Sequence, residues 1–234
     1  LADIDITAVP MEVGPTTHYV MGGVRVDGDT QMSTVAGLFA CGESSTGMHG
    51  SNRLSGNAIA SCMVLGARSG KFAALFAGVN DFAKLEPLEA SQELKRLESF
   101  HGESKLDPND LEREIKDLAW ESAGVVRNEE GLKAGVDRFE EIRRDKIPLL
   151  KGNDQRSWIK ALNCANLAWV GEMVTRSALE RRESRGQHYR DDYPAKEKGL
   201  PKWIKVSKNG KSIDCKSESI PFGEGDLMPR IEGG

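Results

Sequence analysis

Apolar residues recur every three or four positions through a charged middle section, residues 84 to 190. There are three such series. The first is Leu111, Ile115 and Leu118, and the second is Leu132, Val136 and Phe139. The third is Trp158, Leu162, Ala165 and Trp169. This spacing puts the apolar side chains of each series on one helix face. Residues that cap helices precede each series, at "DPND" (Asp107–Asp110), at Asn128 and at Asn153-Asp154. The pattern predicts three helices in a small antiparallel bundle.

The section before residue 83 has a different pattern, rich in glycine and with few charges after position 29. Two short runs within it, Gly23–Val26 and Gly37–Gly42, are typical of strands. The most apolar segment, Ala58–Val79, is interrupted by polar residues, which are Arg68, Ser69 and Lys71. We therefore expect a buried core helix there, and no membrane span despite the Gly66-x-x-x-Gly70 spacing.

The section after Tyr193 is rich in proline, lysine and glycine. Two strand-like runs flank Asn209-Gly210, which is a strong signal for a β-hairpin. The last residues, "GEGDLMPRIEGG", are expected to form a loose arm. The chain is thus predicted to be helix-rich α+β, with three parts at residues 1–82, 83–192 and 193–234.

Composition narrows the possible partners. The formal net charge of −4 and the sequence pI near 5.7 argue against nucleic acid or an anionic membrane surface as the main partner. The four cysteines are widely spaced, so neither a disulfide framework nor a metal site is indicated, and a reducing, cytoplasmic compartment fits best. The chain begins at Leu1 without a signal peptide, and we expect it to be a piece of a longer protein.

Three residues of the glycine-rich section are candidates for ligand binding. His18 lies in "PTTHYVMGG", and a lone histidine is more often a solvated or hydrogen-bonded structural residue than a ligand-binding one. Glu43 ends a short apolar run, where a carboxylate either accepts hydrogen bonds from a ligand or is a solvated turn residue. Arg53 precedes a helix that should begin near Gly56-Asn57, and its planar fork suits a carboxylate or phosphate. A structural arginine that binds loop carbonyls is the alternative.

The run "TRSALERRESRGQHYRDDYP" contains five arginines between residues 176 and 190. Arg176 and Glu180 have the i,i+4 spacing of a helical ion pair. The run is either a salt-bridged helix face or a surface that docks a partner domain or subunit.

Four motifs, "THYVMGG", "GLFACGE", "GMHGSNRLSGNAI" and "ERRESRGQHYRDDYP", occur in this order. Together they resemble the flavoprotein subunit of succinate dehydrogenase and fumarate reductase, with L-aspartate oxidase as a close relative. The resemblance implies that residues 1–82 hold the end of a capping region and the closing strands and helix of an FAD-binding α/β domain. Residues 83–192 would be the C-terminal helical domain, and residues 193–234 a tail with the hairpin.

The resemblance also implies roles for individual residues. His18 would hydrogen-bond a substrate carboxylate and Arg53 would clamp it. Glu43 would contact FAD, and the backbone of Ala58 and Ile59 would meet the isoalloxazine ring. Because a hydride must pass between the flavin and a small dicarboxylate, both carboxylates have to be fixed, and Arg plus His are suitable clamps.

The implied activity is the interconversion of succinate and fumarate, with FAD as cofactor. The implied partners are a dicarboxylate substrate and an iron-sulfur protein subunit, with membrane contact only through partner subunits, at the inner face. No catalytic residue is assignable, because the family's proton-donating arginine and dinucleotide-binding motif lie upstream. The chain alone is expected neither to hold FAD tightly nor to turn over. The alternatives are an L-aspartate oxidase and a non-catalytic helical interaction module.

Overall fold

The computed structural model describes residues 5, 7–11, 14, 17–82, 84, 86–199, 201–210 and 212–220. The chain divides into two compact units, residues 1–83 and 84–234. Across the described residues, the regular elements in chain order are α1 (Asn57–Val79), α2 (Pro87–Glu98), α3 (Pro108–Ala123), α4 (Glu129–Glu141), α5 (Gln155–Glu180), β1 (Lys202–Asn209) and β2 (Ser212–Ser219). This element set confirms the helix-rich α+β class.

The first unit consists of α1 and a meandering chain packed along one side of it. Phe39 meets Phe76 of α1 edge to face, with ring centroids 6.2 Å apart. The two predicted strands form only isolated bridges, Val24 with Ser45, Val26 with Ser33 and Met32 with Phe39. The reason is that the chain turns at once after Val26, where the Asp27 side chain accepts hydrogen bonds from two following backbone N–H groups. No ladder of consecutive backbone bonds can extend through such a turn.

Helix α1 differs from the expected core helix, because it buries only one narrow face. Ser61, Leu65 and Ser69 are buried, whereas the side chains of Ile59 and Val79 are 76% and 83% exposed. Within the described ranges, α1 is also the helix that is long and apolar enough to cross a membrane, by length and composition only. The described residues of the first unit cover one side of α1 and leave apolar residues on its other side exposed.

The second unit has the predicted bundle at its centre. Helices α3, α4 and α5 pack against one another, and α2 precedes them. The predicted caps are confirmed, since the side chains of Asp107, Asn128 and Asp154 each accept a hydrogen bond from a first-turn backbone N–H. The buried core consists of Phe100, Leu111, Ile115, Phe139, Ile142, Leu150, Ala161, Cys164, Ala165 and Ala168.

Helices α4 and α5 approach closely at Gly171. A Cβ atom there would lie 2.4 Å from Cε1 of Phe139, whose side chain is fully buried. The absence of a side chain on Gly171 therefore makes room for the Phe139 ring.

A buried ion network joins α5 to a π-helical turn, Ile142–Lys146. The fully buried Glu172 carboxylate accepts hydrogen bonds from Nε of Arg143, at 2.5 Å, and from Nε of Arg176, at 2.7 Å. Arg176 also pairs with Glu140. The expected Arg176–Glu180 pair was therefore wrong: Arg176 turns toward the preceding helical turn, where Glu172 is buried and already faces Arg143.

The arginine loop, residues 181–193, closes the end of α5 and is bonded to Arg127, which lies outside the loop in the connection between α3 and α4. Arg190 is fully buried, pairs with Asp192 through two hydrogen bonds of 2.6 and 2.7 Å, and donates from Nη1 to the Ala178 carbonyl near the end of α5. Arg127 donates from Nε to the Ala123 and Gly124 carbonyls at the end of α3. These bonds satisfy helix-end carbonyls that have no intrahelical partner.

Most charges of the arginine loop are paired within the chain. The buried Glu183 carboxylate accepts from Arg181 and Arg185 as well as from the Glu197 backbone N–H. Of the sequence-based alternatives, internal pairing describes these arginines better than a docking surface does.

The predicted hairpin is confirmed, with β1 and β2 paired antiparallel from Lys202–Ser219 to Asn209–Ser212. Asn209 belongs to this last pair, so the connection begins at Gly210, which has a φ of 61°. The hairpin packs on α5, where Arg181 donates to the Lys202 carbonyl and Ile213 is buried. The predicted loose arm, residues 223–234, lies outside the described residues.

Candidate active site

The segment Tyr19–Met21 connects the predicted site residues of the first unit. The Val20 backbone N–H donates to Oε1 of Glu43 at 2.9 Å. The Arg53 backbone N–H lies 3.0 Å from Sδ of Met21. The segment that follows His18 is thereby joined to both Glu43 and Arg53, which are far from it in sequence.

A close backbone approach at Gly23 makes this arrangement possible. The φ of Gly23 is +155°, and a Cβ atom there would lie 2.6 Å from the Ser44 carbonyl oxygen. The neighbouring Val24 donates to Ser44 O at 2.8 Å and accepts from the Thr46 N–H at 3.1 Å. Only glycine leaves space for this contact, which holds the Tyr19–Met21 segment beside the loop that leads to Arg53.

The Arg53 guanidinium lies over an aromatic ring and has no carboxylate partner in the part of the chain that the structure describes. Its Cζ is 4.5 Å from the centroid of the Tyr19 ring. Nη1 donates to the adjacent Leu54 carbonyl at 3.2 Å, while Nε is buried and forms no hydrogen bond. A half-buried cation with an unsatisfied N–H is a suitable receptor for an anion.

Tyr19 contacts Arg53 and His49 contacts Tyr19, although neither was selected as a site residue from the sequence. The two rings meet edge to face, with centroids 5.4 Å apart and an interplanar angle of 81°. The Nε2 atom of His49 is buried without a hydrogen-bond partner. The available sequence signals were the position of Tyr19 beside His18 and the glycines that flank Met48-His49 four residues before Arg53.

Helix α1 begins at Asn57, as the sequence predicted, directly after this loop. Gly56, its N-cap residue, has a φ of 84° and no side chain to cap the helix. Ala58 and Ile59 lie in the first turn, where backbone N–H groups have no intrahelical acceptor and the helix dipole is positive. The turn can donate hydrogen bonds to an electron-rich group.

The predicted site residues differ in how much of their bonding capacity is already used. His18 is exposed. Glu43 is exposed too, but one of its oxygens already accepts the Val20 N–H. The unbonded Nε of Arg53 and the uncapped start of α1 fit one edge of a flavin with a carboxylate beside it.

Two family models match the chain, one in each unit. The model described as an FAD-binding domain matches residues 1–59. The model described as the C-terminal part of the fumarate reductase flavoprotein matches residues 112–220. The first match includes His18, Glu43 and Arg53, and the second includes the bundle and the hairpin.

Curated relatives match most of this chain but only part of their own length. An uncharacterized FAD-dependent oxidoreductase of Methanocaldococcus jannaschii is 38% identical over 82% of this chain. One of the subunits of the CoM/CoB fumarate reductase of Methanothermobacter marburgensis is 36% identical over 86%, and an L-aspartate oxidase of Acinetobacter baylyi is 31% identical over 88%. The chain spans 35–37% of the length of these relatives.

A solved structure extends the similarity to the fold. The apo form of the Mycobacterium smegmatis Sdh1 complex contains a chain that matches 97% of this one with a TM-score of 0.85 and 33% identity, and 40% of that chain is covered. The order of motifs, the two family models and this fold agree with one another. The chain belongs, as a partial member, to the family of succinate dehydrogenase and fumarate reductase flavoprotein subunits and L-aspartate oxidases, whose cofactor is FAD.

Proposed function

We propose that the whole protein is an FAD-dependent oxidoreductase that interconverts succinate and fumarate, and that this chain supplies part of its active site. The observation that carries the proposal is the state of Arg53. Its guanidinium is half-buried, forms no ion pair among the described residues, and has a buried Nε without a hydrogen bond. Such a group favours an anionic ligand.

Arg53 and His18 together suit a ligand with two carboxylates. The planar fork of Arg53 can hold one carboxylate through two parallel hydrogen bonds. His18 is exposed and immediately precedes Tyr19, whose ring covers the Arg53 guanidinium. His18 would bind a carboxylate as a hydrogen-bond donor, and together the two residues would fix a small dicarboxylate in one orientation.

Glu43 and the start of α1 would hold the cofactor. FAD supplies the two-electron oxidation and reduction of the family when it is bound. The first-turn N–H groups of Ala58 and Ile59 would donate to the electron-rich edge of its ring, and Glu43 would keep Val20 in place through the 2.9 Å bond from its backbone N–H. Because this chain spans only 35–37% of the length of its relatives, we expect it alone neither to retain FAD nor to turn over.

An L-aspartate oxidase is the second candidate, and the relative in Acinetobacter baylyi favours it. Aspartate also has two carboxylates, so Arg53 and His18 would serve either substrate. Succinate and fumarate are preferred here because the fumarate reductase relative is 36% identical and the L-aspartate oxidase is 31% identical.

The test uses the full-length protein, assayed separately with succinate, fumarate and L-aspartate. Flavin absorbance with turnover of succinate or fumarate supports the proposal, and activity with aspartate alone overturns it in favour of the oxidase. A colourless protein that lacks turnover would identify a non-catalytic module. Arg53→Lys, which keeps the charge and loses the fork, should raise KM by about tenfold or more. Arg68→Lys is the matched control, because Arg68 is exposed and donates only to the Gly28 carbonyl.

We also propose that the whole protein works with an iron-sulfur subunit, and that it reaches the inner face of a membrane only through partner subunits. The supporting observations are the names of relatives, a fumarate reductase subunit and an Sdh1 complex. The arginine loop does not support this proposal, because its charges are mostly paired internally. Co-purification of the native protein tests it, and a protein that purifies alone with full activity toward soluble electron donors would contradict it.

A further inference from the structure

We propose that Tyr19 is a positioning residue, which holds the Arg53 guanidinium in the orientation that binds a substrate carboxylate. This inference rests on the proposed function of Arg53. It concerns a residue without an assigned role, and it starts from how Arg53 is held. The direct hydrogen bond of its side chain, from Nη1 to Leu54 O at 3.2 Å, joins it only to the next residue in the chain.

The contact of the guanidinium with the face of the Tyr19 ring provides the missing restraint. At 4.5 Å from the ring centroid, Cζ of Arg53 is within the distance at which a ring face attracts a guanidinium. A ring face restrains the plane of the guanidinium but uses none of its five N–H donors. Tyr19 can therefore orient the fork and leave its donor edges for a carboxylate.

Tyr19 is itself fixed from several directions. The next residue, Val20, donates to Glu43, and Met21 contacts the Arg53 backbone N–H through its sulfur. His49 meets the Tyr19 ring edge to face. Because its neighbours and its ring are both held, Tyr19 can act as a rigid support for the arginine.

The contact depends on the aromatic ring and not on the hydroxyl group, which gives a selective test in the full-length protein. Tyr19→Phe should bind the dicarboxylate malonate like the wild type. Tyr19→Leu should weaken malonate binding by about two- to thirty-fold, which corresponds to the strength of one such contact. Isothermal titration calorimetry measures the Kd directly, and steady-state kinetics should show a higher KM for the substrate with little change in kcat. Tyr189→Leu is the control, because Tyr189 is exposed and lies in the second unit.

A double-mutant cycle separates positioning from a general structural role. If Tyr19 acts through Arg53, Tyr19→Leu should have no further effect on malonate binding once Arg53 is alanine. Equal losses in both backgrounds would overturn the proposal, as would equal binding by Tyr19→Phe and Tyr19→Leu. If the wild type does not bind or turn over any dicarboxylate, the proposed function itself fails. These outcomes differ, so the two failures are distinguishable even if one variant folds poorly.

Discussion

The Nδ1 atom of His188 lies 2.8 Å from Nη1 of Arg127, the residue that closes the end of α3. An arginine can only donate, so Nδ1 must accept, and the proton of the neutral ring sits on Nε2, which faces the Arg181 carbonyl at 3.2 Å. Burial, aided by the charge of Arg127, lowers the pKa of His188 to about 4. The histidine is thus held neutral among cationic groups.

This depressed pKa predicts a loss of stability in mild acid. The unfolded chain takes up the proton near its ordinary pKa of 6.5, while the folded chain takes it up only near pH 4. Stability from the neutral ring is therefore complete above pH 6.5 and is lost as the pH falls toward 4, by about 1–3 kcal/mol after allowance for solvent screening. Urea unfolding across this range should show that slope. The variant His188→Gln should flatten the slope of unfolding free energy against pH, and His101→Gln, at an exposed histidine, should not. The same slope in the wild type and both variants would refute the assignment of this pH dependence to His188.

Because Glu172 is buried between two arginines, even a substitution of similar size should lower the free energy of unfolding strongly. Glu172→Gln removes the charge between Arg143 and Arg176 and should lower the free energy of unfolding by about 3 kcal/mol. Glu180→Gln lies on the same helix, is exposed, and should change it by less than about 0.5 kcal/mol. Thermal or urea unfolding of the two variants compares the observed pair with the pair expected from spacing alone. A larger loss of unfolding free energy in Glu180→Gln than in Glu172→Gln would mean that Arg176 pairs with Glu180.

Two glycine-to-alanine substitutions should change the free energy of unfolding in opposite directions. Gly171→Ala places a Cβ atom 2.4 Å from the Phe139 ring and should destabilise the bundle by about 1–3 kcal/mol, although alanine favours helices. Gly70→Ala in α1 meets nothing within 4 Å and should stabilise its unit in this chain by up to about 1 kcal/mol. Circular dichroism during denaturation measures both changes. Stabilisation by Gly171→Ala would mean that α4 and α5 lie farther apart.

The hydrogen bond to Glu43 predicts that its glutamine and alanine variants differ in FAD binding. In the full-length protein, Glu43→Gln keeps an oxygen that accepts the Val20 N–H, while Glu43→Ala loses it. If Glu43 helps to seat FAD by fixing Val20, only the alanine variant should bind FAD more weakly, by about tenfold. The ratio of flavin to protein absorbance reports this, with the exposed Glu103→Ala as control. Equal loss in both variants would instead assign the effect to the negative charge.

The bundle and the hairpin could be predicted because their signals are local. Asp107, Asn128 and Asp154 cap the helices whose apolar periods follow them, and the hairpin turn lies within one residue of Asn209-Gly210. Neighbouring residues alone determine these features.

Other features depend on distant parts of the chain and could not be predicted. An acid four residues before a base is the better order on a helix, which favours Glu172 over Glu180 as the partner of Arg176. The burial of Glu172, however, depends on the π-helical turn that brings Arg143 to it. The cluster of His49, Tyr19 and Arg53 likewise depends on the contact at Gly23, which has no periodic signal in the sequence.

The arginine loop also has a mechanical consequence. Arg190 of the loop holds the carbonyl end of α5. Arg127 holds the carbonyl end of α3 and is bonded to the loop at Tyr189 and Asp191. The hairpin follows the loop in the chain. A force applied to the hairpin would reach the end of α3 through this loop, and α5 both through the loop and through the contacts of the hairpin with α5. Pulling from that end should therefore load the carbonyl ends of α3 and α5 together, because the loop contains one of the two arginines that hold those ends and is bonded to the other.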